Sequence, residues 1–516
     1  KLSGFPFYNR SRWTLRKLLD DPNNIADNLQ DYIDCFSTNI QVMFAKKSGL
    51  DFSTEIEKMD AHDRRFGVVT KFSELDLNPD TVRNDVMGTI FEEIINKFSE
   101  NAEAGDQYTP REVIRLLVKI LTAEGIDDIY EENKLVTVYD PACGSGGMLS
   151  ATYDEIRSLN NTADVVLFGQ EVNPESYAIC LADMMIKGQK IEHIKLQDTM
   201  KKEASTGQYC FDGTKMRLVI MNPPFGTAWK GKDAAQGVEK SVLDEYSKGH
   251  NGRFSAGLPA GGDMQLLFMQ VAIDKMDENT GRAAIITNGS PLFSGGTMSG
   301  ESQIRKWMLD NDYIEAIIAL PTDLFYNTGI GIYAFILSKN KQEKRKNKIQ
   351  LINAVDFYEP LRKSLGKKRR ELSAKNIKDI IKIYAEFKEG KYCKIFDRDE
   401  FLYREYTVYQ PLQRAGKITP NSIEALKQSS WYVSNFIVDE TVHEELDSKI
   451  TKVKKAIEAS TEKGNKLVKG KAEKELKKLE NKKEKFIKDE KLGIDLIQVL
   501  SSNISNKEFN DLTKFK

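Results

Sequence analysis

The sequence predicts an α/β fold in which a mostly parallel sheet is covered by helices on both faces and flanked by helical regions at both ends. From about residue 135, short and nearly continuous apolar segments alternate with segments of helical periodicity. Strands that are apolar on both faces are typical of parallel sheets buried between two helical layers. The first hundred and the last hundred residues, by contrast, show helical patterns without strands.

The length of the chain predicts several domains, because 516 residues exceed what one hydrophobic core ordinarily supports. We expect an N-terminal helical domain at 1–104, an α/β domain at 105–410 and a C-terminal helical or coiled-coil region at 411–516. The clearest N-terminal helix is DVMGTIFEEIINKF, residues 85–98, with apolar residues at helical spacing. The next helix is predicted to have Thr109 as its N-cap and Pro110 in its first turn.

Seven strands are predicted in the α/β domain from the apolar segments. They span residues 135–140, 165–171, 194–198, 217–222, 283–289, 313–321 and 330–339. The last two are separated by a loop, which favours an antiparallel hairpin. Residues 227–262 are rich in Gly and Lys, and we expect them to form a mobile insertion over the carboxyl edge of the sheet. Residues 341–350 are interpreted as a charged connector.

The C-terminal region has one narrow apolar stripe. Leu446, Ile450, Val453 and Ile457 follow the 4-3-4 spacing of a coiled-coil seam. The simpler interpretation is a solvated helix with i,i+4 ion pairs. Because the stripe is too narrow to fold alone, we favour a helical arm that docks on a partner.

Composition excludes several classes of function. No apolar run approaches the ~20 residues of a membrane span. Five cysteines without CxxC spacing predict neither a disulfide framework nor a zinc site, and they favour a reducing compartment such as the cytoplasm. Four scattered histidines give no metal site. The net charge of −1 means that nucleic-acid binding would need a local basic patch or a partner.

The motif VYDPACGSGG predicts a ligand-binding loop. A strand ends at Asp140, and small residues then lead into a helix whose first N–H groups are free to bind a ligand. These small residues are Gly144, Ser145, Gly146 and Gly147. Leu149 stands where the dinucleotide fingerprint requires Gly or Ala, which weakens an NAD interpretation.

Acidic residues finish the three consecutive strands at this edge. Glu171, at the end of the second strand, suits a ribose diol, and Asp198, after the third, can accept a hydrogen bond from an adenine amino group. Each acid alone could be a helix cap or a solvated loop residue. Together with Asp140 they predict a nucleoside ligand. The near P-loop GTAWKGKD at 226–233 is interpreted as chance, because Asp233 replaces the required Ser or Thr.

The fourth strand ends in NPPF, which can hold a planar amino group. The Asn222 side-chain oxygen and the Pro223 carbonyl could each accept one N–H bond, and Pro224 restricts the loop. That arrangement would turn the nitrogen lone pair outward, and Phe225 offers a stacking face for a flat ring. A base extruded from a duplex needs both features. A strong base is not required if the leaving group is a sulfonium.

DPACGSGG followed by NPPF resembles the amino-methyltransferases that use S-adenosylmethionine, and Asn in first position is closer to the N6-adenine enzymes than to the cytosine-N4 enzymes. The order of the motifs matches their gamma arrangement. GDQYTPREV further resembles the GQ(Y/F)xTP segment of the modification subunits of type I restriction-modification systems. FEEIINKF, LPTDLFYNTGIG and FLYREYTVYQPL add to the likeness, which covers residues 80–415. QYTP has Tyr108 but lacks the extra aromatic often found before Thr, and Tyr108 is our choice for packing on the cofactor.

The resemblance implies a Rossmann-like S-adenosylmethionine methyltransferase domain that methylates N6 of a flipped adenine in double-stranded DNA. Its implied partners are a specificity subunit, a second modification subunit and optionally a restriction subunit, in a prokaryotic cytoplasm. The catalytic loop would be Asn222, Pro223, Pro224 and Phe225. Cofactor contacts would come from Gln107, Tyr108, Thr109, Pro110, Arg111, Asp140, Gly144, Ser145, Gly146, Gly147, Glu171 and Asp198.

Other functions share the amino-group chemistry. NPP(Y/F) also occurs in methyltransferases that act on RNA or on a protein glutamine amide. A stand-alone DNA adenine methyltransferase and a non-catalytic scaffold with the same fold are further alternatives. QYTP and the long helical ends argue against the RNA and protein enzymes, and the intact Asp140, Glu171, Asn222 and Phe225 argue against a scaffold.

Overall fold

The computed structural model describes residues 7–45, 49–78, 81, 82, 86, 87, 90, 94, 109–326, 328–406, 416–462 and 466–508. The chain separates into two compact units, Lys1–Glu405 and Tyr406–Lys516. The boundary between them lies close to the predicted start of the C-terminal region. A separate N-terminal domain at 1–104 stays a prediction.

The N-terminal part of the first unit is helical and has a small core of its own, formed by Leu18, Ile25, Leu29, Ile56 and Val69. Its helices are α1 (Leu15–Leu18), α2 (Ile25–Asp34), α3 (Thr38–Phe44), α4 (Phe52–Ala61) and α5 (Arg65–Glu74). The helix predicted at 85–98 lies almost entirely outside the described residues.

A nine-stranded mixed sheet forms the centre of the first unit, in the order β11-β8-β6-β7-β5-β4-β1-β2-β3. Its strands are β1 (Leu135–Asp140), β2 (Asp164–Glu171), β3 (Ile194–Leu196), β4 (Leu218–Met221), β5 (Arg282–Thr287), β6 (Ile314–Leu320), β7 (Ile332–Ser338), β8 (Lys348–Asn353) and β11 (Cys393–Asp397), while β9 (Glu359–Leu365) and β10 (Lys368–Glu371) form a separate hairpin. β1 to β5 are parallel, and β7 lies antiparallel between β5 and β6.

The predicted α/β class and all seven predicted strands are confirmed, including the antiparallel pairing of the last two. Two details were wrong. β3 ends at Leu196, so Asp198 lies two residues beyond the strand. Residues 341–350 are not only a connector, because β8 begins at Lys348 and pairs parallel to β6. The charged residues before β8, with Lys348 as its first residue, masked the apolar pattern of this strand.

Helices cover both faces of the sheet, because successive strand residues point to opposite sides. Leu218 and Ile220 of β4 belong to one core layer, whereas Val219 and Met221 belong to the other. The helices of this part are α6 (Arg111–Leu121), α7 (Gly147–Leu159), α8 (Pro174–Ile186), α9 (Val238–Ser247), α10 (Gln265–Lys275), α11 (Ser290–Phe293), α12 (Gly300–Asp310) and α13 (Ala374–Glu386).

The segment 227–262 is packed, and the prediction of a mobile insertion was wrong. Phe254 is fully buried, and the Nε1 atom of the buried Trp229 donates a hydrogen bond to the Ala260 carbonyl at 3.2 Å. Val238 and Val242 of α9 join the same core layer as the two aromatic side chains. Gly and Lys dominate the sequence of this segment, but a few large apolar residues are enough to fix it.

The second unit is a helical assembly with helices α14 (Pro420–Lys427), α15 (Ser430–Phe436), α16 (Glu440–Glu462) and α17 (Lys466–Ser502). Leu446 and Ile450 of the predicted seam are buried, and α16 packs on α17. The Tyr432 hydroxyl donates a hydrogen bond to the Gly493 carbonyl at 2.9 Å, which fixes α15 on α17. Within the described residues of the whole chain, no helix is long and apolar enough to span a membrane.

Candidate active site

A cavity of about 830 Å³ opens at the carboxyl edge of β1 to β4. Asp140, Glu171, Asp198 and Asn222 all line it, as the order of the strands predicts. Its volume is within the usual range for sites that enclose a small molecule. The topology therefore brings the three predicted acids and the predicted catalytic amide to one place.

The glycine loop after β1 starts helix α7 at the wall of this cavity. Gly146 has φ of +80°, and a Cβ atom there would lie 2.6 Å from the Cys180 Sγ atom. Only Gly satisfies both constraints, so the turn into α7 requires it. Gly144, Ser145 and Gly147 line the cavity, and the free N–H groups of the first helical turn suit a polar ligand there.

Asp140 is buried at the end of β1. Its Oδ1 atom accepts a hydrogen bond from the Ala142 N–H at 2.9 Å. Burial raises the pKa of Asp140 to about 8; the Ala142 N–H opposes this effect and the charge of Glu171 adds to it. A positively charged ligand in the cavity would favour the ionised form.

Glu171 and Asp198 are held in place by backbone N–H groups. Glu171 accepts hydrogen bonds from the Gly144 N–H at 2.8 Å and from the Asn173 N–H at 2.7 Å, so its carboxylate is fixed against the glycine loop. Asp198 accepts from the Met200 N–H at 2.9 Å and pairs with Lys201 at 3.1 Å. Each carboxylate retains lone pairs for a ligand.

Asn222, the first residue after β4, is 8% exposed and has one unused hydrogen-bond acceptor. Its Nδ2 atom donates to the Thr109 Oγ1 atom at 2.9 Å. Its Oδ1 atom is buried and has no partner among the described residues. An unpaired buried acceptor is costly and rare, and at a cavity wall a water molecule or a ligand can supply the missing donor.

The rest of the NPPF loop is only partly in the cavity. Pro224 lines the cavity, whereas Pro223 is buried behind it. Phe225 is half-buried and packs against the core layer that contains α6, α7 and α8. Among the described residues that line the cavity, Phe225 is absent. Its stacking on a flat ring stays a prediction.

The QYTPR segment has a different local structure from the predicted one. Helix α6 begins at Arg111 with Pro110 in the N-cap position, and the Thr109 hydroxyl accepts a hydrogen bond from Asn222. Thr109 and Arg111 line the cavity, whereas Pro110 is buried. Gln107 and Tyr108 lie outside the described residues.

Several cavity residues were not predicted from the sequence. The Gln170 Oε1 atom accepts a hydrogen bond from the Tyr139 hydroxyl at 2.5 Å, and the Thr199 hydroxyl donates to the Pro141 carbonyl at 2.5 Å, which braces the loop after Asp140. Met264 and Phe268 also line the cavity. Helix α10 is buried at ten of its eleven positions, so its periodicity gives no signal for the face that meets the cavity.

No group of three or more His, Cys, Asp or Glu side chains is arranged to hold a metal ion within the described part of the chain.

The sequence of the chain is similar to those of known DNA methylases. The family model for N-6 DNA Methylase matches residues 82–417. The chain is 30% identical over 400 residues to the type I restriction enzyme MjaVIII methylase subunit of Methanocaldococcus jannaschii, covering 75% of this chain and 64% of that protein. It is 27% identical over 381 residues to the MpnII methylase subunit of Mycoplasma pneumoniae, covering 72% and 64%. The chain thus spans less than two thirds of the length of either relative.

The fold also has solved counterparts. The type I restriction-modification methyltransferase subunit from Streptococcus thermophilus superimposes with a TM-score of 0.59 at 23% identity, over 75% of this chain and 77% of that one. A chain from a structure of a type I restriction-modification assembly gives a TM-score of 0.52 at 17% identity, over 77% of this chain and 78% of that one. These likenesses concern the fold alone.

Proposed function

The chain belongs to the N-6 DNA methylase family, and on that premise we propose that it transfers a methyl group from S-adenosylmethionine to the N6 amino group of a flipped adenine in double-stranded DNA. The observation that carries this proposal is the buried and unpaired Asn222 Oδ1 atom at the cavity wall. The N–H of an amino group can donate a hydrogen bond to this oxygen.

Residues at the carboxyl edge of the sheet fit the cofactor. When bound, S-adenosylmethionine supplies an electrophilic methyl group on a sulfonium. Glu171 would accept hydrogen bonds from the ribose hydroxyls, and Asp198 would accept one from the adenine amino group. Asp140, whose pKa burial raises to about 8, would become ionised beside the positive charge.

Asn222 would hold the target nitrogen in the geometry for transfer. Because its Nδ2 atom is engaged by Thr109, the Oδ1 atom is the side of the amide that can accept an amino N–H. The Pro223 carbonyl would accept the second N–H. These two hydrogen bonds would direct the nitrogen lone pair toward the methyl group. Correct placement of the two reacting atoms accounts for much of the acceleration in such transfers.

The second unit would dock on other subunits of a type I restriction-modification complex. We expect a specificity subunit, a second copy of this chain and, in complete systems, a restriction subunit, in the prokaryotic cytoplasm. In α17, Ile487 and Ile494 are exposed at a spacing of seven residues, and so are Leu492 and Val499. Apolar residues repeated every seven positions along an exposed helix are typical of a coiled-coil interface.

The experiment that tests the proposed function identifies the methylated product. The full chain is purified from its native host with its bound partners. It is incubated with isotopically labelled S-adenosylmethionine and, in parallel reactions, with unmethylated DNA amplified from the host genome, with RNA and with protein. We expect the label to appear as N6-methyladenine in digested DNA. Label in RNA or in protein glutamine, with none in DNA, would contradict the proposal.

A further inference from the structure

The hairpin of β9 and β10, residues 359–371, lies at the same edge of the sheet as the candidate active site. β7 is antiparallel to both β5 and β6, so β5 and β6 run in the same direction. Because β4 is parallel to β5 and β8 is parallel to β6, β4 and β8 also run in the same direction. The hairpin follows the carboxyl end of β8, just as Asn222 follows the carboxyl end of β4. Both segments therefore leave the sheet on one side.

The hairpin concentrates positive charge in a chain that is nearly neutral. Six of its thirteen residues are Lys or Arg and two are Glu, so its net charge is +4, against −1 for the whole chain. A local basic patch of this kind is what a nearly neutral protein needs in order to bind a polyanion.

Backbone contacts fix the hairpin on the loop between β6 and β7. The Lys367 N–H donates to the Tyr326 carbonyl at 2.7 Å, and the Arg369 N–H donates to the Asp323 carbonyl at 2.9 Å. At the turn, Gly366 has φ of +58°, and a Cβ atom there would lie 2.5 Å from the Tyr326 oxygen. The close approach requires Gly, so the hairpin has a defined position on the first unit.

One ion pair links the hairpin to the helix that supports Asn222. Lys368 is buried and pairs with Glu112 in the first turn of α6. Thr109, three residues before Glu112, accepts the hydrogen bond from Asn222. The short segment 109–112, where α6 begins, thus contacts both the candidate catalytic amide and the basic hairpin.

Two of the six cations are used inside the protein. Lys368 pairs with Glu112, and the Arg370 guanidinium stacks on the Tyr358 ring at 4.1 Å from its centroid. The other four are exposed and form no ion pair with the described residues; they are Arg362, Lys363, Lys367 and Arg369. Exposed cations on a fixed backbone suit phosphate groups, which position a nucleic acid without reading its sequence.

We propose that the hairpin 359–371 binds the sugar-phosphate backbone of duplex DNA beside the nucleotide whose base enters the cavity. The identity of the polyanion as DNA rests on the proposed function. A base can reach Asn222 only if its own phosphates come to this edge of the sheet, where the hairpin stands. An acidic protein partner would not have to bind at this edge of the sheet, so the position of the hairpin favours DNA.

The test compares two double variants of the full chain with the unmodified protein. Lys363→Gln/Lys367→Gln removes two hairpin charges. Lys306→Gln/Lys346→Gln is the control with the same change of charge. These lysines are 64% and 46% exposed and pair with Asp310 and Glu343; Lys306 lies in α12, and Lys346 lies two residues before the start of β8. The binding constant for a fluorescent DNA duplex is measured at several salt concentrations between about 50 and 200 mM.

The slope of log K against log [salt] should become shallower by about 1.8 in the hairpin variant, since each lost phosphate contact contributes about 0.9. The control variant should keep the original slope, and both should keep their affinity for S-adenosylmethionine. An unchanged slope in the hairpin variant, or an equal change in both variants, overturns the proposal. Failure of the proposed function would appear separately, as absence of N6-methyladenine in DNA treated with the unmodified protein.

Discussion

At the scale of single residues, the hydrogen bond between Thr109 and Asn222 fixes which atom of the Asn222 amide remains free to bind a ligand. The two residues are 113 positions apart, and their hydrogen bond is 2.9 Å long. It occupies the donor side of the Asn222 amide and leaves the Oδ1 acceptor buried without a partner. Thr109 is thus a positioning residue for Asn222, in addition to any contact that it makes with the cofactor.

Replacing Thr109 by Val removes the hydroxyl but keeps the shape of the side chain. We expect the rate of methyl transfer to fall about tenfold, the equivalent of one hydrogen bond of ~1.4 kcal/mol, while the affinity for S-adenosylmethionine changes little. Thr109→Ser should restore most of the rate. Single-turnover kinetics measures the effect. A normal rate in Thr109→Val, or an equal loss in both variants, would show that the hydroxyl does not position Asn222.

The raised pKa of Asp140 predicts that cofactor binding depends on pH. Its pKa is about 8 in the free protein because of burial, and it would fall beside a sulfonium. The free protein must then release a proton when it binds the cofactor below pH 8. The affinity should rise about tenfold per pH unit up to about pH 8 and then become constant.

Calorimetric titration of S-adenosylmethionine in buffers of different ionisation enthalpy counts the released protons. Close to one proton should be released at pH 6.5, and the Asp140→Asn variant should release none. The same proton release from both proteins would assign the pH dependence to another group.

At the scale of elements, the buried strands were predictable, whereas β8 and β11 at one side of the sheet were not. β4 and β5 are buried at every position, so their apolar runs are visible in the sequence. β8 and β11 carry charged or polar residues such as Lys348, Gln350 and Lys394, because they lie at or next to the edge of the sheet. Their pairing depends on the neighbouring strands and not on a local apolar pattern.

Helix α17 gives a prediction about assembly. Ile487→Gln/Ile494→Gln should prevent co-purification of the partner subunits and leave cofactor affinity unchanged, since both side chains are exposed apolar residues. Lys478→Gln/Lys485→Gln is the matched control, with exposed residues at the same spacing. Pull-down from the native host measures the effect. Full recovery of partners with the Ile variant would place their binding surface elsewhere.

At the scale of the whole molecule, the sequence predicts the topology of the first unit better than it predicts the contacts within the candidate site. The rule that ligands bind at the carboxyl ends of parallel strands predicts from the sequence that Asp140, Glu171 and Asp198 lie close together, and all three line the cavity. The sequence offered no signal for the Thr109–Asn222 bond or for the packing of Phe225, because these contacts arise only when distant segments meet. The basic hairpin was hidden for the same reason, since its position depends on β8.

The most direct test of the central claim is the rate of methyl transfer by Asn222→Ala. In the complex with partners, single-turnover transfer to adenine N6 should fall by at least ~100-fold, since the variant removes the acceptor that orients the amino group. The dissociation constant for S-adenosylmethionine, measured in the same preparation, should stay within about threefold of the unmodified protein. Normal methyl transfer by this variant would contradict the account.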